Sequence, residues 1–275
     1  MEFLDAYQRA VALPQVPRRI ISLVPSITET VFALGAGERV VGVTSYCTHP
    51  PDGVAGVMRV GGTKDPELDT IERLKPDLII VNDEENRQED FSALEKRGLP
   101  LYVTAPRTVA EGIRMVEQLG PLIGCQAQAR ALALSLWQQY EESTAGLKAG
   151  ERLRVFCPIW RKPWMSFNRE TYSDDMLWRC GGENIFRAKD ERYFSLSLDE
   201  VVAADPHLIL LPSEPYPFAE KHFVHLSPLQ ETAAGRGGHF YCVDGMALCW
   251  YGPRIAQGLT ELSRLFAFVR DTMDE

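Results

Sequence analysis

The 275-residue chain has no apolar run near the ~18 residues that a membrane-spanning helix needs. Membrane insertion is therefore not expected. Its six cysteines, Cys47, Cys125, Cys157, Cys180, Cys242 and Cys249, form no C-x-x-C pair and lie far apart. That spacing excludes a disulfide framework or a zinc ribbon and predicts buried free thiols. Positive charge is scarce: 29 Lys and Arg face 38 Asp and Glu, a net charge of −9. No basic stripe offsets it, so nucleic acid is not an expected partner. Gly35-Ala36-Gly37 follows a helical pattern and lacks a third glycine, which rules out a dinucleotide fingerprint. Neither a Walker loop nor a Gly-x-Ser-x-Gly elbow occurs. Asp83, Glu84, Glu214 and His49 are the plausible acid–base groups and form no recognisable set, so no enzyme is expected. His222-Phe-Val-His225 has the spacing of half a metal site but no third ligand nearby in sequence. The first residues carry Glu2 and Asp5 where a secretory signal carries basic charge, and they lack an apolar centre. The chain as written is expected in the cytoplasm, with a periplasmic or surface-anchored place if its start is incomplete.

What is present is a regular alternation. Arg19 to Val24 is a short β-branched run ending at Pro25, and Ser26-Ile-Thr-Glu29 has the pattern of a capping box opening a helix to Leu34. Val40–Val43, Leu78–Val81 and Leu101–Thr104 are further buried strands, with helical patterns at 68–74 and 91–97 between them. From Thr108 the strand signal vanishes. One helical pattern runs to Leu119, Gly120-Pro121 interrupts it, and residues 126–148 form a long stretch rich in Ala, Leu, Gln and Glu. The second half repeats the first in kind, with strands at 154–156, 208–211 and 239–243 and helices at 173–178 and 253–269. The passage from Leu68 to Ile80 is echoed from Leu198 to Leu210: helix, Pro-marked turn, buried strand, with Asp69 and Asp199 at the same place. The predicted fold class is α/β, two doubly wound lobes joined by one long backbone helix. The predicted segments are 1–120, an N-terminal lobe, 121–150, the bridging helix, and 151–275, a C-terminal lobe.

Ligands of open α/β sheets sit beyond the carboxyl ends of the strands. That rule selects the loops at 25–26, 45–47, 61–63 and 82–83 in the first half, and 159–167, 213–218 and 246–251 in the second. Tyr46, Trp160, Trp164, Trp250 and Tyr251 fall in them, enough aromatic surface to cover a broad flat ligand.

The ordered set Arg19-Ile-Ile-Ser-Leu-Val-Pro-Ser-Ile-Thr-Glu-Thr, Val41-Gly-Val-Thr-Ser-Tyr46, Leu74-Lys-Pro-Asp-Leu-Ile-Ile, Cys180-Gly-Gly-Glu-Asn-Ile-Phe186 and Gly252-Pro-Arg-Ile255 resembles a known family. It is similar to the substrate-binding proteins of ABC importers of cobalamin, haem and iron siderophores, with the cobalamin-binding branch the nearest in pattern. The resemblance implies non-enzymatic binding of a corrinoid or other metal chelate as ligand, with no intrinsic cofactor, between two lobes. Its implied alternatives are an iron-siderophore or haem receptor, or a cytoplasmic corrinoid carrier or enzyme on the same scaffold. It also implies an ABC permease as partner. The ligand-binding positions it selects are Ser26, Tyr46, Thr63, Trp164, Trp250 and Tyr251. Thr63 stands where that branch often has Trp, and Trp250 where it often has Arg. Asp69 and Asp199 stand where importer-linked members place a docking Glu on each lobe, and Asp is one methylene shorter. His49 is a candidate axial ligand to a chelated metal, against a plain turn role in His49-Pro50-Pro51. Ser263 takes a position where exported relatives pair a second cysteine with that of the Cys180 motif.

Overall fold

The computed structural model describes residues 1–144 and 150–273. The chain forms two compact units, and each is an α/β layer structure. The first comprises Met1–Pro106, Glu111–Ser135 and Tyr251–Pro253; the second comprises Arg107–Ala110, Leu136–Trp250 and the chain from Arg254 onward.

In the first unit the strand Ile20–Ser22 is the centre of a five-stranded parallel sheet. Val40–Val43 and then Met58–Arg59 add on one side, Leu78–Asn82 and then Leu101–Thr104 on the other. Every residue of Leu78–Asn82 is buried, as a parallel strand covered on both faces requires. Ile21, Leu23, Ile71, Ile79, Val81, Phe91 and Val103 form one core cluster. An N-terminal hairpin, Glu2–Leu4 against Ala10–Ala12, was not expected from the sequence. Its strands are only three residues long, too short for a period-2 pattern to register. It covers the outer edge of the sheet: Ala6 N donates to Val103 O at 2.9 Å and the Tyr102 hydroxyl to Leu4 O at 3.2 Å.

The second unit has a four-stranded parallel sheet in the order Gly182–Asn184, Leu153–Phe156, Leu208–Pro212, Phe240–Val243. An antiparallel hairpin, Trp164–Phe167 with Tyr193–Leu196, stands beside it. Phe156, Phe186 and Phe194 meet edge to face at centroid distances of 6.0 and 5.6 Å within the core. The closing helix Arg254–Met273 buries Ile255, Leu259, Leu262, Phe266 and Val269, alternating steps of four and three residues along one face. Cys180 lies against the Gly258 and Leu259 carbonyls of that helix, and burial pushes its thiol up to about 12. Cys47, Cys125, Cys157 and Cys180 are buried free thiols.

Two expectations change. The helix expected to break at Gly120-Pro121 runs on as Val109–Leu122, with Pro121 in its last turn. Proline lacks the N–H that would continue the ladder, and the helix ends one residue later. The long helix is Gln126–Thr144, about 28 Å at ~1.5 Å per residue. It starts in the first unit and passes to the second at Leu136. The rest of its expected span, 145–149, lies outside the described residues. Ser26 is also not a cap. The helix opens at Pro25 with Val24 as N-cap, and Ser26 is buried in its first turn. Proline at N1, needing no N–H partner, starts this helix in place of a side-chain cap. A real capping box occurs at Ser197, which accepts from Glu200 N at 3.3 Å while Glu200 accepts from Ser197 N at 2.9 Å.

The internal echo holds down to the backbone. Lys75 and Asp205, each just before the proline, adopt left-handed φ of 48° and 45°. The helix stops there and the following strand begins three residues later.

Candidate functional site

In the second unit the chain leaves Leu153–Phe156 for the strand on one side and later returns to Leu208–Pro212 on the other. The loops after Phe156 and Pro212 therefore flank a topological switch point at the carboxyl ends, the place where ligands of open α/β sheets bind. Both loops put aromatic rings there. Trp160 meets Tyr216 edge to face at 5.4 Å, and Tyr216 meets Phe218 at 4.6 Å. Phe218 stacks on Trp164 at 5.9 Å with ring planes 1° apart. His222 closes the group at 5.5 Å from Tyr216 and 5.7 Å from Phe218. Its Nδ1 accepts from Ala219 N at 3.0 Å, which fixes the ring. Phe218 is 4 % exposed and Trp160 43 %, so the cluster is rooted in the core and presents an indole to solvent. Trp160 and Trp164 flank a tight loop closed by Ile159 N to Met165 O at 2.9 Å and Met165 N to Trp160 O at 3.1 Å. Arg161, Lys162 and Pro163 form its tip.

The carboxyl ends of the first unit's sheet are polar and latched. Asn86 donates to Leu23 O at 3.1 Å and Thr63 O at 2.9 Å, while its Oδ1 accepts from Asn82 N at 2.9 Å. Asn82 in turn donates to Thr104 Oγ1 at 3.2 Å and accepts from Glu84 N and Glu85 N. Three loops are thereby tied to one buried amide pair. Tyr46 stands on the turn Thr44–Cys47, 63 % exposed. Arg59 clamps that turn by donating to Thr44 O at 3.0 Å and Cys47 O at 2.7 Å. The Cys47 thiol is pushed up by burial, although the Thr28 and Thr44 hydroxyls at 3.1 Å oppose the shift.

The residues selected from sequence thus separate. Trp164 joins the aromatic cluster, and Tyr46 is presented to solvent. Thr63 is half-buried and contributes a carbonyl to the latch; Ser26 is buried. Trp250 is 7 % exposed, its Nε1 donating to Glu214 at 2.9 Å with the Arg254 guanidinium 5.7 Å from its ring. Tyr251 is 4 % exposed and belongs to the first unit. The next residue, Gly252, has φ 78°, and a Cβ there would fall 2.0 Å from Thr30 Oγ1. His49 is half-buried with Nδ1 3.0 Å from Thr48 Oγ1. Among the described residues no group of three His, Cys, Asp or Glu is arranged to hold a metal. Asp69 is exposed and pairs with Arg97 at 2.8 Å, whereas exposed Asp199 has no ion pair among the described residues. Tyr216 and Phe218 were missed as site residues. Their signal was present: an aromatic pair in the loop straight after the fully buried strand Leu208–Pro212.

Parallel α/β units with aromatic loops beyond their strand ends define a small-molecule binding protein. The particular family follows from comparison with known proteins: residues 20–246 match the Periplasmic binding protein family, and the chain belongs to it. Members of this family bind substrates for transport and do not convert them. The chain is 27% identical over 207 residues to the vitamin B12-binding protein of Vibrio cholerae serotype O1, covering 75% of each chain. It is 25% identical over 258 residues to that of Vibrio parahaemolyticus, covering 92% of this chain and 90% of the relative. Among solved structures, the periplasmic vitamin B12 binding protein of Vibrio cholerae superposes with a TM-score of 0.83 at 22% identity, covering 93% of this chain and 99% of the other. The periplasmic heme-binding protein of Roseiflexus sp. RS-1 gives 0.81 at 25%, covering 92% and 99%. Both of these solved structures are of periplasmic proteins. No helix among the described residues is long and apolar enough to cross a membrane.

Proposed function

We propose that the protein binds a corrinoid, a cobalamin-like ligand, or a related flat metal chelate, and hands it to an ABC permease. The observation that carries this reading is the ring cluster of Trp160, Trp164, Tyr216 and Phe218 at the carboxyl ends of the second sheet. A macrocycle is a broad, mostly apolar face, and a half-exposed indole rooted in a rigid aromatic group can cover one at little cost in side-chain entropy. The vitamin B12-binding relatives support the corrinoid. The heme-binding neighbours support haem as the second reading, and an iron siderophore would use the same loops. Tyr46, exposed on a turn held by Arg59, is proposed as a ligand contact of the first unit. Trp250, Tyr251, Thr63 and Ser26 act behind the contact surface, holding loops in place.

Absorbance spectra of the protein mixed with cobalamin, cobinamide or haem, taken after desalting, test the reading. A retained chromophore with a shifted band is the expected result; loss of all three overturns it. For the permease, Asp199 is the better docking acid, since Asp69 is already shared with Arg97. Cys47, Cys125, Cys157 and Cys180 are buried thiols, which suits a reducing compartment; a corrinoid carrier on the cytoplasmic side is therefore the alternative to delivery to a permease. Recovery in the periplasmic fraction of the native host would overturn that part and align the chain with its relatives.

A further inference from the structure

The aromatic cluster has a cationic rim. Arg161 and Lys162 sit at the tip of the loop whose two ends are Trp160 and Trp164, closed by the Trp160–Met165 backbone pairing. In a chain of net charge −9, neither has a carboxylate within ion-pair distance among the described residues. His225 lies on the same side, its ring 6.3 Å from that of His222, which itself packs on Tyr216 and Phe218. Desolvation first, and then the charges of Arg161, His222 and Lys162, holds the His225 imidazole below its ordinary range, so the three basic groups share one electrostatic neighbourhood. Basic side chains in a protein this acidic would ordinarily be drawn to carboxylates. These stay unpaired beside a presented indole.

We infer that Arg161 and Lys162 form an anion-reading rim, and that the ligand is a flat ring system carrying a carboxylate or phosphate group at its edge. This rests on the aromatic cluster being the binding surface, and it narrows the ligand class. The ring lies on Trp160 and the acidic substituent reaches the loop tip. Among candidate ligands, haem has carboxylates and cobalamin a phosphodiester, whereas haem dimethyl ester and cobinamide lack those groups.

Two fluorescence and absorbance titrations at low salt separate the rim from the ligand's identity. In the first, the protein is titrated with haem against haem dimethyl ester, and with cobalamin against cobinamide. The acidic member of the pair that binds should be favoured roughly five- to tenfold, with the preference shrinking as salt is raised. Preference within the haem pair assigns the carboxylate, and within the cobalamin pair the phosphate. In the second, the probes are 8-anilinonaphthalene-1-sulfonate and its uncharged analogue N-phenyl-1-naphthylamine, which need no macrocycle. The sulfonate should be favoured by a similar factor. Arg161→Gln with Lys162→Gln should bring each ratio close to one, and Arg161→Glu with Lys162→Glu should invert it. Ratios unchanged in both double variants overturn the rim. Failure of every macrocycle with the sulfonate preference still removed by the variants overturns the proposed ligand and leaves the rim standing.

Discussion

The two units present the same helix, turn and strand passage, with Lys75 and Asp205 in matching left-handed conformations, yet they end in different chemistry. Beyond the first sheet stands a polar latch: Asn82, Asn86 and Thr104 satisfy one another and the backbones of three loops. Beyond the second sheet stands a set of rings, packed on a core of Phe156, Phe186 and Phe194. The difference shows how one scaffold carries two kinds of loop chemistry. Hydrogen bonds are directional, so the first unit's loops are fixed and expose a single ring, Tyr46. Ring packing is less directional, so the second unit can spread a larger apolar surface.

Removing the keystone on each side should break this contrast unequally. Phe218→Ala empties a position packed by Trp164, Tyr216 and His222 and should cost about 3–4 kcal/mol of stability. A urea midpoint shift at unchanged slope would report it. A loss under about 1 kcal/mol would mean the cluster is not anchored to the core. Asn86→Ala leaves the Leu23 and Thr63 carbonyls and the Asn82 N–H without their partner, and should cost about 2 kcal/mol by the same measurement. Were it the costlier of the two, the latch and not the ring cluster would be the better-rooted end. Tyr46→Ala should separate binding from folding. The side chain is mostly in solvent, so stability should move by less than about 0.5 kcal/mol, while affinity for the ligand found by spectroscopy falls by about 1–2 kcal/mol. Unchanged affinity would remove Tyr46 from the site. The smallest effect belongs to the paired acid. Asp69→Asn removes an exposed ion pair with Arg97, which keeps Glu72, and should cost less than about 0.5 kcal/mol. In a transport assay Asp199→Asn should then be the more damaging of the two acids; equal effects would show that the Arg97 pair opens on docking.

Much of this was legible in residue order. The strands at 20–24, 78–81, 101–104 and 208–211 were visible as β-branched apolar runs, and the Pro76 and Pro206 turns as an internal echo. The Ser26 reading went wrong because Ser-x-x-Glu also follows Pro25, and proline at N1 opens a helix without help. Trp250 was selected by loop position; that its ring is 7 % exposed and its indole N–H donates to Glu214, 36 residues earlier, is set by the fold. The hairpin of Trp164–Phe167 with Tyr193–Leu196 escaped notice because its two strands are separated by a helix and a strand of the main sheet.

Sequence by itself determined the parallel sheets, their order of appearance and the loops beyond them. An unbroken run such as Leu78-Ile-Ile-Val81 must be covered on both faces, and in an alternating α/β chain only a parallel strand between helices provides that. The membership of the site was decided by tertiary structure. Trp160 and Trp164 follow one strand, Tyr216 and Phe218 another, and they meet because Leu208–Pro212 pairs directly with Leu153–Phe156. Strand neighbours are chosen by the packing of the whole unit, so the contact between those loops has no local signature to read.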